Sequence, residues 1–130
     1  MTAEPEYPGP RPAQPFSPEQ ERTWSTITHV VAGAAMLLSA GTLGFVAALV
    51  IYLACRDRGP FIRAHAASAV NVQLTALIGL VISVVLMIVL VGFLLYPAVV
   101  IAAIVIHGIC AMKANDGQWY NPPYTIPFVK

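Results

Sequence analysis

Residues 23–55 and 64–112 run without a single Asp, Glu, Lys or Arg. Neither stretch keeps the polar stripe that a helix needs when one face meets water. Between residues 78 and 91, for example, Ser83 is the only polar side chain. Each block is longer than the ~20 apolar residues that cross a bilayer once. The pattern therefore predicts an all-α integral membrane protein.

Length forces each block to break. One helix over residues 19–55 would run about 55 Å at 1.5 Å per residue, and one over 64–112 about 74 Å, against a hydrocarbon layer of ~30 Å. In the first block the weak point is Ser39-Ala40-Gly41-Thr42-Leu43-Gly44, so a turn is expected near Gly41. In the second, Gly92 and Pro97 bracket a connection expected over residues 93–96. Ser17-Pro18-Glu19-Gln20 has the cap, first-turn proline and reaching glutamine of a helix start. Gly59-Pro60 opens the third helix, and the fourth ends near Lys113 with Asn115 or Gly117 as its left-handed cap. The expected fold is two helical hairpins joined at Arg56-Asp57-Arg58. It comprises three full spans and one short or re-entrant helix near 43–55, about 20 Å long; three spans is the alternative.

Six of the eleven prolines fall in residues 1–18, too polar and proline-rich to build a core, so this segment is expected to be a disordered or polyproline-like tail. The expected division is tail 1–18, membrane helical domain 19–113 and interfacial C-terminal tail 114–130. Composition agrees: 58% of residues are hydrophobic and 10% charged, with mean hydropathy +0.73. A net charge of +1 offers no basic field for nucleic acid. Cys55 and Cys110 lack metal or redox spacing and are expected as free thiols. Arg22, Arg56, Arg58, Arg63 and Lys113 would share one side of the membrane while the other two turns carry no charge. The positive-inside rule then sets both termini in the cytoplasm.

Polar residues inside such blocks need partners. Counted from the charged side, His29, Asn71 and His107 come to one depth on three helices, a candidate intramembrane polar layer. On the third helix His65, Ser68, Asn71 and Thr75 share about a third of the circumference, while Gln73 lies off that stripe and needs its own partner. No carboxylate lies in either apolar block, and no His-x-x-x-His pair or nucleophile–base–orienter set occurs. No catalytic, metal or cofactor site is expected, and the chain reads as a non-enzyme. Its partners would be the bilayer, further copies of itself or other membrane subunits.

Three motifs carry a family likeness: Glu21-Arg22-x-Trp24 with His29; Arg58-Gly59-Pro60-Phe61-Ile62-Arg63-x-His65-x-x-x-Ala69-x-Asn71-x-Gln73; and Ala111-x-Lys113-Ala114-x-x-Gly117-x-x-Tyr120-x-Pro122. Over residues 19–128 the chain resembles the bacterial membrane proteins of domain of unknown function number 4870. That family is described as similar to the chloroplast inner-envelope import channel subunit (Tic twenty-like). Val72 stands where the pattern often has an aromatic, and Gly44-Phe45 where Gly-Pro is common. The resemblance implies a small multi-pass protein of the bacterial cytoplasmic membrane, acting as a pore, translocation or scaffold subunit. A small-solute or proton-coupled transporter using the polar layer is the alternative.

Overall fold

Ser17 and Gln20 bond each other reciprocally, the Gln20 N–H to Ser17 Oγ (3.2 Å) and the Ser17 N–H to Gln20 Oε1 (2.9 Å). This capping box opens the first helix in the computed structural model, which describes residues 2–130. The elements are α1 (Pro18–Leu38), α2 (Gly44–Cys55), α3 (Pro60–Leu86), a 3-10 turn (Met87–Val89) and α4 (Gly92–Asn115); no strand occurs among the described residues. The first turn falls where its glycines predict. Ala40 (φ 54°) and Gly41 (φ 102°) adopt left-handed backbone, and the Gly41 N–H returns to the Met36 carbonyl. Gly117 closes α4 in the same way, with its own N–H on Ala114 and that of Gln118 on Lys113.

The second connection differs from the expectation. It lies at residues 87–91 instead of 93–96, and Pro97 sits inside α4. Gly92 sets the position: a β-carbon there would run into the Ser83 carbonyl oxygen, so only glycine lets α4 start directly against the end of α3. Pro97 then costs α4 one bond near its start.

Two helices are long and apolar enough to cross a membrane, Pro60–Val89 with its 3-10 turn and Gly92–Asn115; α2 is apolar but has 12 residues. Helix α1 packs on all three others, whereas α2 touches α1 and α3 and not α4. The centre is built from small side chains, Ala32, Ala48, Ala66, Ala69 and Ala114 among them, which let backbones approach closely.

Consecutive residues of α1 hold the ends of two other helices. The Glu21 carboxylate accepts from the Phe61 and Ile62 N–H groups (2.8 and 3.0 Å), capping the positive end of α3. Arg22 donates twice to the Asn115 carbonyl (2.8 and 3.2 Å) at the negative end of α4. Each charge therefore meets the helix pole of opposite sign. Gly59 is part of the first clamp, because a β-carbon there would collide with the Glu21 carboxylate. Glu21→Ala is expected to cost about 1–2 kcal/mol, and Gly59→Ala a similar amount by pushing the carboxylate out. The double variant should cost little more than either single one, measured by thermal denaturation in one detergent.

Candidate functional site: a buried histidine chain

Three helices each bring one histidine to the middle of the bundle: His29 from α1, His65 from α3 and His107 from α4, all buried. Gly33, one turn after His29, makes room, since even a bare β-carbon there would lie 3.3 Å from the His107 β-carbon. The rings bond in series. His65 Nδ1 is 3.3 Å from His29 Nε2, and His29 Nδ1 is 3.1 Å from His107 Nδ1. At one end His65 Nε2 faces the Gln118 carbonyl oxygen at 2.9 Å; at the other, Gln73 Nε2 lies 2.9 Å from His107 Nε2 and 3.3 Å from the Ala32 carbonyl.

The proton positions follow from the ends. A carbonyl oxygen only accepts, so His65 Nε2 carries a proton; an amide nitrogen only donates, so His107 Nε2 is bare. For three neutral imidazoles one arrangement satisfies every contact. Gln73 donates to His107, His107 Nδ1–H to His29, His29 Nε2–H to His65, and His65 Nε2–H to Gln118. All the donors point the same way along the chain. One extra proton would require Gln73 to turn its amide over and present Oε1, and would reverse the links only as far along the chain as the ring that carries it, from the Gln73 link alone for His107 to all three for His65.

The polar layer expected from depth is thus regrouped. His29 and His107 come together, but Asn71 is not with them. On α3 it is rotated 120° from His65 at 100° per residue and pairs with the C-terminal segment, donating to the Val129 carbonyl and accepting from the Val129 N–H, both at 2.7 Å. Thr75 Oγ1 accepts from the Ile126 N–H (2.9 Å), and Tyr52 donates to the Lys130 carbonyl (2.9 Å). Residues 118–130 therefore fold back along α3. The stripe divides between two neighbours: His65 turns to the bundle, Asn71 and Thr75 to the tail. Ser68, between them, is buried with its hydroxyl unpaired. Gln73, the residue in need of a partner, completes the histidine chain.

The charged residues gather at one end. Arg58 donates to the Gln14 carbonyl (2.8 Å) and lies over the Phe16 ring, which stacks on Trp24. Arg63 reaches the Lys130 carbonyl, Lys113 donates to Gln118 Oε1 and sits over Tyr120, and Arg56 meets Asp57 in an exposed pair. Beside His65 at this end a cavity of about 180 Å³ is bounded by Ala64, Trp119, Tyr120 and Asn121. Among the described residues no group of His, Cys, Asp and Glu is arranged to hold a metal ion. The reason is geometric: His29 spends its two nitrogens on different neighbours, so the rings form a line and share no common centre. Cys55 and Cys110 are both free and buried.

The molecule is thus a small helical body with two helices long and apolar enough to cross a membrane and a buried histidine chain linking three of its helices. The chain belongs to the family described as the magnetosome magnetite crystal formation protein family (MamF and MmsF), whose model matches residues 20–129. This corrects the likeness read from the motifs: the matching family carries this description, and neither the domain 4870 assignment nor the Tic twenty-like one stands. No curated protein and no solved structure matches the chain.

Two measurements check the site. In ¹⁵N-histidine spectra of the protein in neutral detergent, His29 and His65 should be protonated at Nε2 and His107 at Nδ1, the less common form. Asn71→Leu should release residues 118–130 to protease while the helices stay folded, because it removes two bonds worth about 0.6–1.7 kcal/mol each. His29→Ala, which opens a cavity and breaks the chain at its centre, should cost more, about 2–4 kcal/mol.

Proposed function

We propose that this protein is a non-catalytic, multi-pass scaffold subunit of a bacterial membrane, and that it serves the family's role in magnetite crystal formation by holding a fixed helical body there. The observation that carries this reading is the spending of polar groups. The side chains able to line a water-filled path, His29, His65, His107, Gln73 and Asn71, are turned on one another or on the chain's own backbone. A pore or solute pathway needs such groups facing water. Two apolar helices of sufficient length support the membrane setting, and the gathering of Arg58, Arg63 and Lys113 at one end supports a cytoplasmic position for that end and for both termini. Contacts with further copies or other membrane subunits fall to the apolar outer faces, where Val50, Ile82, Ile101 and Val105 are exposed.

A second reading has one observation in its favour. The cavity at His65 gives the histidine chain an opening on the charged side, from which a single proton could be taken up in a proton-coupled transporter. Purified protein in sealed liposomes separates the two. A scaffold leaves proton and metal-cation flux at the level of empty vesicles and remains in the membrane fraction at alkaline pH. A saturable flux that His29→Ala abolishes would replace the scaffold reading with the transporter.

A further inference from the structure

Residues 118–130 leave the bundle at His65, where the Gln118 carbonyl is bonded, and descend along α3 to Thr75, ten residues or about 15 Å further on. They then turn back through the Val129–Asn71 pair to the Lys130 carbonyl, which Tyr52 and Arg63 hold at the charged end. The segment is therefore a loop laid on α3, and it does not fill the space it encloses. A cavity of about 480 Å³ remains beneath it, floored by Ala64, Ala67 and Ser68 and walled by Asn121, Pro127 and Lys130. That is the volume of a small-molecule site, well beyond one or two waters. Below the loop tip a second cavity of about 350 Å³ lies between α3 and α4, over Val72, Ala76 and Gly79 on one side and Val99, Ala102 and Ile106 on the other. Thr125 borders both spaces. At the deep end of the second the helices close, since a β-carbon on Gly79 would lie 3.1 Å from the Val99 methyls.

The two spaces change in polarity in the order that a lipid leaflet does. The α3 residues of the outer one, 64–71, lie within eight residues or about 12 Å of Arg63. Polar groups are left unspent there. Among the described residues the Asn121 amide and the Lys130 ammonium make no bond, and Arg63 uses its Nε alone. Ser68, 6% exposed at the floor, has an unpaired hydroxyl with the Cys110 thiol beside it. None of the residues lining the outer cavity is acidic, so its free charge calls for an anion. The inner space begins at Val72 and ends at Gly79, about 14–24 Å beyond Arg63. Its threonine hydroxyls are already spent, Thr75 on the Ile126 N–H and Thr125 on the Pro123 carbonyl. An apolar cavity stays dry and takes apolar ligands. Width decides which kind. A helix about 10 Å across, laid along the same seven-residue length, would need about 800 Å³, more than twice what the groove holds, whereas a single hydrocarbon chain needs no such breadth.

We propose that the loop 118–130 and the α3–α4 groove together form a binding site for one anionic phospholipid of the leaflet on the charged side. Its phosphate and glycerol lie beneath the loop beside Lys130 and Arg63, and one acyl chain lies in the groove. The inference rests on the membrane reading above. A lipid seated in this way touches loop and bundle at once, so it fastens residues 118–130 alongside Asn71 and Thr75.

The test uses the full chain in dodecyl maltoside, stripped of lipid and then given equal amounts of phosphatidylglycerol and phosphatidylcholine, with retained lipid counted by native mass spectrometry. One phosphatidylglycerol should stay bound, preferred about tenfold or more, since each cation near a headgroup is worth about fivefold. Arg63→Gln with Lys130→Gln should remove the preference. Ala102→Phe, which fills the groove from an exposed position on α4, should lower retention of both lipids roughly tenfold while the melting temperature in lipid-free detergent stays unchanged. In the unaltered chain, phosphatidylglycerol should slow deuterium exchange in residues 118–130, a readout that needs no substitution. Equal retention of the two lipids, untouched by Ala102→Phe, would mean loosely adsorbed lipid only and would overturn the proposal. So would protection by glycerol phosphate equal to that by phosphatidylglycerol, which would make the site one for a soluble phosphate. Dissociation of a dimer by Ala102→Phe with lipid still bound would assign the groove to a second copy and equally overturn it. A protein that resists alkaline extraction from the membrane yet keeps no lipid sinks the site alone, whereas release by the alkaline wash removes the membrane reading itself and the site with it.

Discussion

A polar group shut away from water has to be bonded by its own chain, and this requirement organises most of what is specific in the molecule. The apolar blocks offer few side chains able to do so, and the fold uses nearly all of them. Three histidines and Gln73 bond in line and draw α1, α3 and α4 together. Asn71, Thr75 and Tyr52 take the backbone of residues 126–130 against α3. In the returning segment 118–130, Pro122, Pro123 and Pro127 contribute no N–H, and two of the N–H groups that do occur, those of Ile126 and Val129, are met by Thr75 and Asn71. A non-helical segment can lie on an apolar helix only when its polar atoms are served in this way.

At the charged end the same problem is solved with ions. Helix ends leave N–H and carbonyl groups unpaired and carry opposite partial charges. Glu21 and Arg22, adjacent in sequence, meet one pole each. That arrangement fixes the vertical register of α1 against α3 and α4, and the register in turn brings the three histidines level. The glycines at 33, 59 and 92 are placed where a β-carbon would crowd His107, Glu21 or the end of α3. They mark close approaches in the bundle.

The direction of the histidine chain bears on function. One end is set by the Gln118 backbone carbonyl, which only accepts, so the neutral chain has a single polarity and the Gln73 amide donates at the other end. Such a chain holds helices together and, in the same geometry, can accept one proton only if the Gln73 amide turns over. Rigid core and protonatable element are therefore one structure here, which is why scaffold and transporter readings arise from the same residues.

Much of the architecture was legible in local chemistry. Ser17 and Gln20, Gly41, Gly59-Pro60 and Gly117 announce helix ends by backbone preference, and the uncharged blocks announce apolar helices by composition alone; these signals act within a few residues and need no partner. The connection before α4 escaped, because Gly92 is required by contact with the Ser83 carbonyl, 9 residues away in sequence but touching in space, while Pro97 signals a break it does not make. The candidate site was half legible. His29 and His107 stand out in any apolar block, but depth counted along separate helices cannot say which way a side chain is turned. Only the packing of α1 between α3 and α4 decided that His65 and Gln73 would join them, and only the return of residues 118–130 decided that Asn71 would face away, since each depends on helix rotation and on contacts spanning 34 to 78 residues of sequence.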